Sequence, residues 1–177
     1  MSENNELDVI ENKIFVNKVL ILMAEKISHQ LASFSGWMIV GFGAAISLLV
    51  ANIAEVAKYI KPECIGLSVK LFLGAVVLNV IQRYMAAKVA SVVTMLEKLE
   101  SIPEPKALDL AYFRDQIEKV TFWPARIYLK WMNNKISNGD YTISGRMQGI
   151  LAQIQAYLVF AQMILLVLAA YVIGNAL

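Results

Sequence analysis

Charge is scarce in this chain of 177 residues. Asp, Glu, Lys and Arg make up 17% of it, against 58% apolar residues and a mean hydropathy of +0.57. That balance lies outside the range of soluble globular domains and predicts a membrane protein. Cysteine and histidine are scarcer still. Cys64 stands alone, which excludes an intrachain disulfide framework and a cysteine-rich metal site. His29, the one histidine, belongs to no arrangement of Cys, Asp and Glu with metal-ligand spacing, so neither a metal nor a cofactor is expected. The net charge of +2 is small and the basic residues are not gathered into one run, so no nucleic-acid partner is predicted. The start carries Glu3, Glu6, Asp8 and Glu11, unlike the basic opening of a secretory signal, so insertion is expected to rely on the first span.

Catalytic patterns are missing as well. Asp109, Asp115 and Glu118 fall on a charged amphipathic segment that needs no catalytic explanation. The stretch GFGAA at Gly41 lacks the third glycine and the preceding strand of a phosphate-binding loop. The chain is expected not to be an enzyme.

Long apolar runs are what the sequence does have. The expected fold is all-α, a single polytopic membrane domain with three transmembrane helices and amphipathic cytoplasmic helices. Residues 1–35 read as an N-terminal interfacial helix, because Lys13, Lys18, Glu25 and Lys26 interrupt any run long enough to span. The first span covers 36–54, with Trp37 at belt position. After a turn at Pro62, residues 64–101 form a second span with a cytoplasmic extension, ~55 Å long at 1.5 Å per residue against a ~30 Å hydrocarbon slab, stopped by Pro103 and Pro105. Residues 106–136 hold two amphipathic segments split before Pro124, and Trp123, Arg126, Lys130 and Trp131 there suit a membrane interface. SNGD, Ser137 to Asp140, is a turn, Ser144 can cap the last helix, and 147–177 is a third span free of charge.

Orientation is set by lysine and arginine. Ten of the sixteen lie between Arg83 and Arg146, which puts the N-terminus and the middle segment in the cytoplasm and the C-terminus outside, in an inner membrane.

Three patterns bear on function. Gly43, Ser47 and Ala51 recur at four-residue intervals with Gly41 and Ala45 alongside, a small-residue stripe that packs closely against another helix, either within the chain or between copies. Gln148, Gln155 and Gln162 recur at seven, so they share a line of the third span, where amides need partners. They bond within the chain, or they form an oligomeric core that could line a pore. Asn79 and Arg83 lie one turn apart on the second span and could meet that row, although Arg83 also fits the role of a cytoplasmic anchor. The expected partners are the lipid bilayer, further copies in a homo-oligomer and a cytoplasmic protein received by the basic middle layer. The first hairpin and its extended second helix resemble two-span membrane effectors of bacterial antiviral systems. In size and hydropathy the chain is also similar to phage holins, without their charged tail. The expected function is assembly as a membrane sensor or effector subunit, with a homo-oligomeric channel lined by the third-span glutamines as the alternative.

Overall fold

A computed structural model describes residues 2–100, 110–121, 123 and 125–176. The regular structure among the described residues is helical, with no strand: α1 (Ser2–Ala51), α2 (Ile53–Val56), α3 (Pro62–Glu100), α4 (Leu110–Val120), α5 (Ala125–Ser137) and α6 (Ile143–Gly174). Three of these helices, α1, α3 and α6, are long and apolar enough to cross a membrane.

The boundary expected at residue 35 is absent, because α1 runs unbroken for 50 residues. Charges at Lys13, Lys18, Glu25 and Lys26 interrupt a hydropathy run, but lysine and glutamate are good helix formers and do nothing to stop the backbone. The second long helix meets its expected bounds closely. It opens on Pro62, whose missing N–H and fixed φ suit the first helical position. The expected stops at Pro103 and Pro105, the start of the amphipathic region at 106–109 and the break at Pro124 lie outside the described residues.

The chain divides into two compact units. The first comprises residues 1–24 and 91–150. There Arg126 reaches from the start of α5 to the open end of α4, its Nε donating to the Glu118 carbonyl at 2.9 Å and its Nη2 to the Lys119 carbonyl at 3.2 Å. Lys130 pairs with the Glu118 carboxylate at 2.8 Å. The SNGD turn ends α5 by a left-handed cap: Gly139 has φ +82°, its N–H bonds the Ile136 carbonyl and the Asp140 N–H bonds the Lys135 carbonyl. The last helix then begins at Ile143, ahead of Ser144, so Ser144 lies inside it. Its first turn is capped from α1, where the Asn17 side-chain oxygen accepts the Gly145 N–H at 2.7 Å.

The second unit, residues 25–90 and 151–177, packs α1, α3 and α6 side by side. The first and last of these run parallel: Ser28 bonds Gln155 and Ser35 bonds Gln162, the same offset seven residues apart. The middle helix runs antiparallel to both, since Asn79 meets Ser35 and Ser68 meets Ala169. Buried positions on α6, namely Ala152, Gln155, Val159, Gln162, Leu166 and Ala169, alternate in steps of three and four. That 3.5-residue period is the seam of a left-handed coiled coil. Ser68, Ala75, Gln82 and Val89 are the matching line of α3.

The residues inside and outside this unit reverse the pattern of a water-soluble bundle. Ser28, Ser35, Ser68, Gln82, Gln155 and Gln162 are at most 1% exposed, whereas Trp37, Leu48, Val80 and Val167 are all above 60%. Water would favour the opposite arrangement.

A buried polar core as the candidate functional site

The seam of the second unit carries the polar groups in layers. In the best-paired layer the Ser35 hydroxyl donates to Gln162 Oε1 at 2.6 Å, Asn79 Nδ2 donates to the Ser35 hydroxyl oxygen, and Gln162 Nε2 reaches the Ser35 carbonyl at 3.3 Å. One serine thereby ties all three helices. Towards the ends of α1 and α6, the Ser68 hydroxyl donates to the Ala169 carbonyl at 2.9 Å. In the other direction, the Ser28 hydroxyl donates to Gln155 Oε1 at 2.7 Å. Gln155 Nε2 is buried without a partner there, and on α3 both amide atoms of Gln82 are likewise buried without one. In the first unit Gln148 is also buried, and its Oε1 is unpaired.

The structure brings Gln155, Gln162 and Asn79 together and leaves Arg83 out. A four-residue line through Asn79 leads to Arg83, but a coiled-coil seam alternates steps of four and three, so the interior position after Asn79 is Gln82. Arg83 is exposed, and its guanidinium lies across Gly36, where a side chain on α1 would collide with it. The serine partners Ser28 and Ser35 were not anticipated. Their signal was present in the sequence, because Ile21, Ser28 and Ser35 repeat at the same interval as the glutamines.

Most of the small-residue stripe is exposed. Gly43 alone among its members lies against another helix, with Phe72 Cζ 3.4 Å from where its Cβ would stand. Gly41, Ala45, Ser47 and Ala51 are exposed. Trp37, Met38, Gly41, Phe42 and Ala45 line a shallow groove on the outer side of α1. Of the expected interface residues, Trp37, Trp123 and Trp131 are exposed, and Arg126 and Lys130 are engaged within the α4 and α5 hairpin as described. Ile127 and Trp131 on α5, and Trp123 just before it, are exposed apolar residues.

These features define an all-helical protein with three helices long and apolar enough to cross a membrane, packed around a polar seam. No protein family, curated protein or solved structure matches the chain.

Proposed function

We propose that this chain is a polytopic protein of an inner membrane that works by assembling with a second copy of itself, without chemistry of its own. The inverted burial pattern supports the embedding. Lipid removes the penalty on exposed Val, Leu and Trp, and it makes interior pairing of Ser, Asn and Gln obligatory.

The observation that carries the assembly reading is the outward direction of Gly41 and Ala45. Two small residues four apart let a neighbouring backbone approach, and a groove presented identically by two copies is complementary to itself about a two-fold axis. Trp37, Met38 and Phe42 supply the flanking apolar surface. Gly41→Ile in lipid nanodiscs is expected to weaken self-association at least about tenfold, ~1.4 kcal/mol, while helical content stays constant. A chain that cross-links only as monomer in native membranes overturns the reading.

A pore lined by repeated copies of Gln155 and Gln162 is less compatible with this geometry, since both amides face inward and are bonded to Ser28 and Ser35. The excess of basic residues between Arg83 and Arg146 supports a cytoplasmic N-terminus and an outer C-terminus. The lone cysteine tests that orientation. Cys64 lies in the first turn of α3, half-buried beside Lys61 and Tyr171. A membrane-impermeant maleimide is expected to label it from the outer side of intact spheroplasts, and labelling that requires permeabilisation reverses the assignment.

A further inference from the structure

Gln82 is the least satisfied polar side chain of the second unit. It is fully buried, and neither its Nε2 nor its Oε1 has a hydrogen-bond partner. The register of the coiled coil says what lies at its level. Starting from the Ser68 and Ala169 pair, two heptads along α3 and two back along the antiparallel α6 lead to Gln82 and Gln155. Gln155 is fully buried too, and its Nε2 is unpartnered in the same way. Ser28 completes the layer from α1, with its proton committed to Gln155 Oε1 and its oxygen lone pairs left over.

We propose that the layer formed by Ser28, Gln82 and Gln155 is an internal water-binding site. It offers amide donors at Gln82 Nε2 and Gln155 Nε2 and acceptors at Gln82 Oε1 and Ser28 Oγ, within the two to four partners a buried water takes. None of the orphaned atoms has a direct hydrogen-bond partner, and a water spans a wider gap than one hydrogen bond can. The adjacent layer needs no such guest, because the shorter Asn79 reaches Ser35 directly. Position also favours hydration. Ser28 lies two residues beyond Lys26 and Gln82 directly precedes Arg83, so the layer sits where the uncharged stretch of α1 begins and that of α3 ends, next to a source of water.

The site concerns the interior of the bundle and does not depend on whether copies pair. The test is water-edited solid-state NMR on the full chain in bilayers, with the side-chain amides of glutamine labelled with nitrogen-15. Transfer from water to Gln82 and Gln155, with little or none to the directly paired Gln162, is the expected result. In Gln82→Leu the water transfer to Gln155 should be lost. Two results overturn the proposal: a direct Gln82 to Gln155 contact with no water transfer, or equal transfer to all three amides, which would mean general hydration of the bundle. The wild-type measurement decides the matter even if the variant fails to fold.

Discussion

Ser35→Leu should destabilise the three-helix bundle by roughly 2–5 kcal/mol. Two contributions add to give that cost. Removing the hydroxyl leaves Asn79 Nδ2 and Gln162 Oε1 without their shared partner in a buried site, at about 1–2 kcal/mol for the two together. Forcing a leucine into a position where the serine is 0% exposed adds about 1–3 kcal/mol of overpacking. Ser35→Ala separates the two, because it removes the hydrogen bonds without the crowding. It should cost about 1–2 kcal/mol, since orphaned groups between membrane helices often find substitutes and the mean interhelical bond there is worth only ~0.6 kcal/mol. Denaturant unfolding in mixed micelles monitored by circular dichroism measures both. Equal costs for alanine and leucine would show that the layer is not tightly packed.

Gly145→Val should lower stability by roughly 2–4 kcal/mol, from about 1–3 kcal/mol of crowding and about 1 kcal/mol for a lost cap. A Cβ at Gly145 would stand 2.7 Å from Leu20 Cβ and 2.8 Å from the Asn17 carbonyl oxygen. Neither can retreat cheaply, because one belongs to backbone and the other is fixed to it. The added bulk also pushes away the Asn17 side chain that accepts the Gly145 N–H. The loss should appear first as faster hydrogen exchange in the opening turn of α6, where that cap is the local constraint. Unchanged exchange there together with an unchanged melting temperature would mean that α1 and α6 do not approach as closely as these distances require.

Much of the architecture could be read from the sequence, and what could not be read has identifiable causes. The all-helical class and three helices of spanning length come from hydropathy, and the start of α3 comes from proline. Continuity of α1 through Glu25 and Lys26 was hidden because hydropathy reports where a helix can cross lipid and says nothing about where it stops. The glutamine line on α6 was legible because a spacing of seven holds on any coiled-coil seam. Extending Asn79 to Arg83 failed because steps of four drift off that seam within two turns, whereas Gln82 stays on it. The direction of the small-residue stripe could not be read at all. Small residues suit any close contact, and whether they turn inward depends on which other line of the same helix holds the stronger polar partners, here Ser28 and Ser35.

The parallel course of α1 and α6 has an electrostatic result. Each helix carries about half a unit of positive charge at its N-terminus and half a unit of negative charge at its C-terminus. With α3 opposed to both, one of the three dipoles is left uncancelled, and the end of the second unit that holds Ala51 and Gly174 bears the negative pole. Neither α1 nor α6 has a basic residue in its own last turn. The nearby cation comes from the connecting segment instead, where Lys61 lies beside Tyr171, Val172 and Asn175 at the close of α6. A lysine on the side assigned as outer runs against the trend of the other basic residues. Its place at the negative end of two aligned helices gives it a local reason to be there.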